Sequence, residues 1–259
     1  MKNLLTRTLT GILFIVIITT AVLSGAYTFL FIFGIISLLG YIEFINLTQF
    51  GRKFDKILLM LDMAGACALF LAVFSFSGQL PYNFQKASIL TYVIYLIARP
   101  VTQLYSTPEK SPITSWAYSI LGQIYVVLPL ALLGVWGYKS DYQLFMNTEY
   151  LLMALFVFVW TNDTGAYIVG CTSWEGFFGG LAFCIILASL ANYIIPGMLS
   201  TAQWIGMGIL TSIFSTWGDL CESLLKRTAG VKDSGKILPG HGGILDRFDS
   251  ELIASPVIF

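Results

Sequence analysis

The sequence has few charged residues for its length. Of its 259 residues, 11% are charged and 57% are hydrophobic, and the mean hydropathy is +0.80. A soluble domain carries roughly 25% charged residues, so this chain lacks the side chains needed to cover a surface in water. Its formal net charge is zero, which argues against a nucleic-acid partner, because nucleic-acid-binding proteins present a basic face.

The chain is also poor in the residues that usually bind zinc. Its cysteines show no CxxC pair and no spacing typical of metal ligands; they are Cys67, Cys171, Cys184 and Cys221. The sole histidine is His241, so a zinc site built on several imidazoles is not expected. We interpret the cysteines as small apolar residues in or near membrane-spanning segments.

Long apolar runs are what the sequence has in abundance. A membrane-spanning helix needs about 20 apolar residues, and the run Ala87–Ile97 is short enough to be tilted, broken or extended through Arg99 and Pro100. A final run begins near Leu252 and stops at Phe259. We predict an all-α fold, a polytopic transmembrane helical bundle of about eight to nine spans. The first eight runs are Leu9–Leu23, Tyr27–Ile45, Ile57–Phe76, Ala87–Ile97, Trp116–Trp136, Tyr150–Gly170, Phe177–Ile195 and Trp204–Trp217.

The distribution of lysine and arginine predicts the orientation of these spans. Cations precede the first run and lie in every second connection after it, whereas the alternate connections hold few. Because positively charged connections face the cytoplasm, the N-terminus and the segment Asp219–Glu251 are predicted to lie inside. We expect one integral membrane domain over residues 1–259, with N-terminal spans over 1–150 and catalytic spans over 151–259 that carry a cytoplasmic motif at 217–251.

Most of the polar chemistry follows the eighth run. Polar residues recur there at helical spacing and form one face: Asp219, Glu222, Ser223, Lys226 and Arg227. A membrane-surface amphipathic helix is the structural alternative. Such a helix usually carries only cations on its polar face, whereas this one begins with acids.

A glycine-rich loop comes next. Gly230–Ile237 nearly fits the P-loop pattern G-x-x-x-x-G-K-[ST], but Ile237 stands where a magnesium-binding hydroxyl is required and no strand precedes it. We therefore reject a P-loop. Glycines let backbone N–H groups converge on an anion, so Lys232, Lys236 and Pro239–Gly243 predict a phosphate-binding nest. A tight connecting turn is the alternative.

Several acids lie in or beside apolar surroundings. Asp246 and Asp249 share one predicted helical face, and with Asp219 they offer the oxygen ligands that Mg²⁺ prefers when it shares its coordination with substrate phosphates. Asp163, at the inner end of the sixth run, is expected to face a polar cavity because a buried lone acid is costly. Glu43 is expected to be an interfacial residue. The acid of the third run, expected nearer the outer side, is Asp62.

These motifs resemble the signature of phosphatidate cytidylyltransferases, also called CDP-diacylglycerol synthases. The matching positions are Ser223-x-x-Lys226-Arg227, Lys232-Asp233-Ser234-Gly235, Pro239-Gly240-His241-Gly242-Gly243 and Asp246-Arg247-x-Asp249. Two upstream segments also resemble family motifs: Asn162-Asp163-x-x-Ala166-Tyr167 and Trp174-Glu175-Gly176. The N-terminal half agrees with the family only in its hydrophobic character.

The resemblance implies an enzyme of the bacterial inner membrane that forms CDP-diacylglycerol and pyrophosphate from CTP and phosphatidate on the cytoplasmic side. It implies Mg²⁺, with a second metal ion and homo-oligomerisation left open, and the metal ligands Asp219, Asp246 and Asp249. Catalytic roles are expected for Asp219, Lys226, Arg227, Asp246 and His241. Substrate contacts are expected from Asp163, Glu222, Ser223, Lys232, Asp233, Lys236, Gly240, Gly242, Gly243 and Arg247.

Two rival functions make different demands on the chain. A CTP-dependent lipid kinase would transfer the γ-phosphate of CTP and release CDP instead of pyrophosphate. A transporter would place charged residues near the membrane midplane in paired halves, whereas this chain concentrates its charges in one connection. The D-G-x-x-A-R pattern of alcohol phosphotransferases that consume CDP-diacylglycerol is absent.

One connection departs from the family pattern. In the family, a basic loop containing a serine–proline–lysine–lysine run separates the two upstream motifs, whereas here Gly170 is followed almost directly by Trp174. Either this chain has lost the loop, or the printed sequence omits residues. The short final run favours the second interpretation, which predicts further residues between about Cys171 and Ser173 and after Phe259.

Overall fold

A computed structural model describes residues 2–48, 55–105, 112–139, 148–170, 174–238, 240 and 242–258. Within these ranges the chain forms nine helices and no strand, apart from an isolated backbone bridge between Leu238 and Gly242. The predicted all-α helical bundle is therefore confirmed. The helices are α1 (Lys2–Leu23), α2 (Ala26–Thr48), α3 (Lys56–Phe74), α4 (Tyr82–Tyr105), α5 (Pro112–Tyr138, with a π-helical stretch at Gln123–Val127), α6 (Thr148–Val169), α7 (Trp174–Ile194), α8 (Thr201–Ala229) and α9 (Leu245–Ile258).

Each predicted apolar run corresponds to one helix. By length and composition, the helices long and apolar enough to cross a membrane are α2 to α7, and α1 contributes a shorter apolar stretch, Thr8–Leu23. Helix α8 has 29 residues but ends in a charged turn, and α9 has only 14 residues. The short fourth run is extended rather than broken, because α4 continues through Arg99 and Pro100.

The core of the bundle is rich in phenylalanine. Phe29 and Phe33 are fully buried and stack with their ring centroids 4.1 Å apart. Other large apolar side chains project outward, among them Phe31, Met60 and Leu90. Extensive exposed apolar surface marks a protein that contacts a membrane, which agrees with the composition.

Glycines allow α6, α7 and α8 to pack closely. A Cβ at Gly165 would lie 3.1 Å from the carbonyl oxygen of Gly179. Gly180 leaves room for the amide of Asn162, which accepts a hydrogen bond from Ser212 Oγ at 2.6 Å. Small residues at membrane helix interfaces permit such close approach. The three helices form one wall of the site described below.

A buried ion pair connects α3, α4 and α5. Arg99 Nε donates to Asp62 Oδ1 at 2.6 Å, and the Tyr95 hydroxyl donates to the same oxygen at 3.0 Å. Ser119 Oγ donates to Asp62 Oδ2 at 2.6 Å. The rest of the guanidinium contacts Gln103 and Ser115.

Asp62 lies in the second turn of α3, near the helix end that the sequence assigns to the cytoplasm. The expectation that Asp62 lies nearer the outer side is therefore wrong. The carboxylate points towards α4 and α5, where its partners reach it from both helices.

Candidate active site

The polar segment predicted from the sequence lies at one end of the bundle, where α1, α6, α8 and α9 meet. A cavity at this end is lined by Thr10 of α1, Asp163 of α6, and Asp246 and Asp249 of α9. The N-terminal part of α1 therefore lies at the same end of the bundle as the polar segment. This arrangement is consistent with the predicted topology, in which both lie on one side of the membrane.

Gly218 allows α8 and α9 to cross at close range. A Cβ at this position would overlap the backbone carbonyl oxygen of Asp249 and would lie 2.9 Å from the Cα of Ser250. Asp219 and Glu222 lie one turn apart on α8, so the close crossing places both beside Asp249. Oxygen atoms of these three carboxylates all lie within 4.8 Å of one another.

We call Asp219, Glu222 and Asp249 the acidic cluster. Glu222 is fully buried, Asp249 is half-buried and Asp219 is exposed, so the cluster opens towards Asp219. Burial, followed by repulsion from Glu222 and Asp219, holds the pKa of the Asp249 carboxyl well above its usual range.

Among the described residues, the acidic cluster is the group of acids that fits a metal ion. Its three carboxylates are hard oxygen donors, which Mg²⁺ prefers. A divalent cation between them would offset the repulsion that burial makes costly. The residues present therefore fit a divalent metal.

Asp246, the other predicted metal ligand, is held by protein groups. Its Oδ1 accepts a hydrogen bond from Lys226 Nζ at 2.8 Å. Its Oδ2 accepts from the backbone N–H groups of Ser234 at 2.9 Å and Gly243 at 2.7 Å. Burial alone would raise the pKa of Asp246, but these hydrogen bonds outweigh it and hold the pKa below its usual value. Because both oxygens have partners, the geometry favours Glu222 over Asp246 as a metal ligand.

Lys226 links Asp246 to the acidic cluster. Its ammonium forms ion pairs with Glu222, one turn earlier on α8, and with Asp246 on α9. The side chain is 16% exposed, so it is largely enclosed by these partners. We interpret Lys226 as a cation that offsets negative charge beside the acidic cluster.

The glycine-rich loop forms a tight turn around Asp246. The N–H groups of Ser234 and Gly243 point at this carboxylate, so they are already paired. Gly240 and Gly242 have φ values of +79° and +83°, a left-handed backbone that favours glycine. The hydrogen bonds favour the connecting turn, the alternative to a phosphate-binding nest. Of the predicted residues, His241 lies outside the described part of the chain, as do Pro239 and the connection at 171–173.

Two cavities meet at Asp163. The larger, about 580 Å³, lies between α6, α7 and α8, and the smaller, about 220 Å³, lies between α1, α6 and α9. The larger volume is within the range of pockets that bind small molecules. Asp163 lines both cavities, as expected for an acid at the inner end of a span.

Cations and apolar side chains divide the rim of the larger cavity. Arg227 lines it together with Asp219 and Ser223. Its lining also includes Trp174 and Trp217, which are 78% and 52% exposed. Exposed aromatic side chains therefore border this cavity together with polar ones.

The remaining predicted substrate contacts lie around this region. Arg247 lines the smaller cavity. The loop residues Lys232, Asp233 and Lys236 are exposed and line neither cavity. The structure thus brings Asp163, Asp219, Ser223 and Arg227 together in one cavity, whereas the loop lysines remain outside it.

Helix α8 turns part of its polar face inward. Leu220 and Leu224 are 56% and 64% exposed, whereas Glu222 is fully buried. A membrane-surface helix would bury its apolar face in lipid and leave its acids in water. The burial of Glu222 instead supports a helix that turns this acid towards the protein interior.

Glu43, which the sequence predicts as an interfacial residue, is enclosed by other parts of the protein, with 3% of its surface exposed. It contacts the glycine-rich loop at Ser234, which lies 191 residues further along the chain. No local pattern marks it, because it stands alone in an apolar run.

The chain is similar in sequence to known proteins over nearly its whole length. Residues 5–259 match the model of the cytidylyltransferase family. A protein of Staphylococcus aureus (strain COL) named phosphatidate cytidylyltransferase is 29% identical over 97% of this chain and 96% of its own length. A protein of the same name from Staphylococcus haemolyticus (strain JCSC1435) is 30% identical over the same shares.

Proposed function

The chain belongs to the cytidylyltransferase family, and we propose that it transfers the cytidylyl group of CTP to phosphatidate, forming CDP-diacylglycerol and pyrophosphate. The observation that carries this proposal is the similarity to proteins named phosphatidate cytidylyltransferase over 97% of the chain. The acidic cluster beside a cavity with an apolar rim supports it, because one substrate is a polyanion and the other a lipid.

The reaction requires the site to offset negative charge rather than to supply a general base. A phosphate oxygen of phosphatidate attacks the α-phosphorus of CTP. The bond from that phosphorus to the oxygen shared with the β-phosphorus breaks, and this oxygen leaves as a terminal oxygen of pyrophosphate. Phosphomonoesters have a second pKa of about 6, so the nucleophile is already largely ionised near neutral pH. The protein must therefore hold two polyanions together and offset charge on the leaving group.

We propose Asp219, Glu222 and Asp249 as the ligands of a divalent cation, with Mg²⁺ as its identity. Such an ion would neutralise phosphate charge and act as a template for the reacting oxygens. This set replaces Asp246 of the predicted set by Glu222. Asp246 and Lys226 then support the cluster, because they are hydrogen-bonded to each other beside it.

The larger cavity suits the lipid substrate. Its exposed rim at Trp174 and Trp217 allows acyl chains to remain in the bilayer. Arg227 and Ser223 line the same cavity beside Asp219 and are proposed to contact phosphate oxygens. Arginine forms strong paired hydrogen bonds with phosphate.

We propose the bacterial inner membrane as the location, with the active site on the cytoplasmic side. The cations of the polar segment support this orientation, since positively charged connections face the cytoplasm. CTP would then reach the site from the aqueous side that carries the exposed Lys232 and Lys236.

A radiolabelled CTP assay tests the reaction. Purified protein in detergent micelles with phosphatidate and Mg²⁺ is expected to convert α-labelled CTP into a labelled lipid and to release pyrophosphate. A parallel reaction with γ-labelled CTP is expected to leave the lipid unlabelled. A labelled lipid and free CDP in that reaction would instead identify a lipid kinase.

A further inference from the structure

A carboxylate from α2 lies inside the glycine-rich loop. Glu43, near the C-terminal end of α2, accepts a hydrogen bond from the N–H of Leu245 at 2.9 Å and contacts Ser234 Oγ at 3.3 Å. Leu245 is the first residue of α9, and a negative charge at a helix N-terminus is favourable. Glu43 therefore caps α9 from a different helix.

The loop is shaped around this carboxylate. A Cβ at Gly235 or at Gly243 would overlap a carboxylate oxygen of Glu43. Neither glycine has the left-handed backbone that Gly240 and Gly242 adopt. Gly235 and Gly243 are thus required for space rather than for conformation, and the space is filled by Glu43.

The stability of the fold gives only a partial reason for a glutamate at this position. The Oε1 atom of Glu43 is buried and has no hydrogen-bond partner among the residues that the structure describes. Burying a polar atom without a partner costs free energy. The two contacts of Oε2 therefore come with a cost, which points to a role besides stabilisation.

A series of side-chain contacts connects Glu43 to the acidic cluster. Ser234 Oγ contacts Glu43 and also lies 2.9 Å from Asp246 Oδ2. Asp246 forms an ion pair with Lys226, and Lys226 forms one with Glu222. Glu43 itself lines neither cavity, so any influence on the reaction passes through these residues.

We propose that Glu43 is a positioning residue for the acidic cluster. It fixes the glycine-rich loop against α9, which holds Asp246 in place and through Lys226 sets the position of Glu222. Loss of its charge releases the loop and lowers the affinity of the acidic cluster for a divalent cation. The inference rests on the proposed metal site for its Mg²⁺ measurements and on the proposed reaction for its activity measurement.

The test compares Glu43→Gln with wild type in detergent. Glutamine keeps the size of the side chain but removes its charge. We expect the Mg²⁺ concentration for half-maximal activity to rise about tenfold or more, and the rise in unfolding temperature on adding Mg²⁺ to require a similarly higher concentration. We also expect faster trypsin cleavage after Lys232 and Lys236, which are exposed in the loop.

Two further variants keep the test decisive. Ser234→Ala breaks the contact between Glu43 and Asp246 without changing charge, and is expected to shift the Mg²⁺ dependence in the same direction. Asp55→Asn alters a carboxylate that caps α3 through Ile57 N at 2.9 Å, and is the matched control with unchanged Mg²⁺ dependence. If Glu43→Gln does not fold, Glu43→Asp and Ser234→Ala carry the measurement.

A lower unfolding temperature in Glu43→Gln, with normal Mg²⁺ dependence and normal loop cleavage, would overturn the proposal in favour of a purely structural cap. Normal Mg²⁺ dependence in Ser234→Ala would overturn it as well. Thermal shifts with Mg²⁺ and trypsin cleavage need no turnover. A wild-type protein that makes no CDP-diacylglycerol would therefore refute the proposed function and leave the positioning role open to measurement.

Discussion

Two acidic sites of the protein differ in the groups that surround their carboxylates. Asp62 receives hydrogen bonds from Arg99, Tyr95 and Ser119, so both of its oxygens have protein partners. The acidic cluster brings three carboxylates within 4.8 Å of one another. Among the described residues, the cation that forms an ion pair with it is Lys226, which is shared with Asp246. The first group is saturated by the protein, whereas the second retains surplus negative charge.

The difference separates a structural role from a binding role. In a buried ion pair whose members are all hydrogen-bonded, the polar atoms already have partners and do not need a ligand. The acidic cluster instead borders a cavity through Asp219. Each group contains a buried carboxylate, Asp62 in one and Glu222 in the other, so burial alone does not distinguish them. What distinguishes the two groups is the set of partners that each carboxylate oxygen has.

The largest expected effect is on the acidic cluster. Asp219→Asn and Asp249→Asn each remove a charge proposed to hold the divalent cation, and we expect turnover to fall about 1,000-fold, or roughly 4 kcal/mol. The unfolding temperature without Mg²⁺ should be unchanged or higher, because a repelling charge is lost. Labelled CTP assays and thermal unfolding measure the two effects, and near-normal turnover in either variant would remove that carboxylate from the site.

The ion pair of α3 and α4 should show the opposite profile. Asp62→Asn leaves Arg99 buried without a counter-charge, which costs about 3 kcal/mol or more. Activity per folded molecule is expected to stay within about twofold, an effect of under 0.5 kcal/mol. Thermal or denaturant unfolding in detergent checks the first quantity. A strong loss of activity without a loss of stability would contradict the comparison, since it would join this pair to the active site.

Asp246 is expected to behave as a structural acid at the edge of the site. Because its folded-state pKa is depressed, its stabilising contribution is present above the ordinary carboxyl pKa and is lost only as the pH falls through the lower, folded-state value. Asp246→Asn should therefore destabilise the protein by about 2 kcal/mol, with no change in that difference between about pH 5 and 9. A difference that grows from pH 5 to 9 would indicate a carboxyl that titrates in this range.

The smallest expected effect concerns the crossing of α8 and α9. Gly218→Ala places a methyl group against the backbone of Asp249, which should separate the acidic cluster and lower activity about tenfold, or roughly 1.4 kcal/mol. Gly206→Ala in the same helix meets no atom within 4 Å and should leave activity unchanged while stabilising the helix by up to about 1 kcal/mol. Equal activities in the two variants would show that the close crossing is not needed.

The sequence predicted the helices well because each apolar run reports directly on one helix. The run ending at Ile97 was the ambiguous one, and the structure resolves it as a helix that continues past Pro100. Asp219 and Asp249 were also predicted as metal ligands and Glu222 as a substrate contact, since short spacing on a helix places acids on one face. Local patterns were sufficient for these features.

The parts that escaped prediction depend on contacts between distant segments. Glu43 and Ser234 are 191 residues apart, and no spacing rule connects them. The same holds for Gly218, whose neighbour is the backbone of α9. Asp246 and Asp249 are equivalent in sequence pattern, and only the three-dimensional arrangement shows that Lys226 and the loop N–H groups occupy Asp246.

The exposed aromatic rim of the larger cavity, formed by Trp174 and Trp217, has a kinetic consequence. A lipid substrate that enters the cavity from the bilayer never passes through water. Its effective concentration is therefore its mole fraction in the surrounding bilayer or micelle. Adding inert lipid or detergent at a fixed total amount of phosphatidate should then slow the reaction, while the dependence on CTP remains set by its concentration in solution. The rate would then depend on the surface concentration of phosphatidate and on the bulk concentration of CTP.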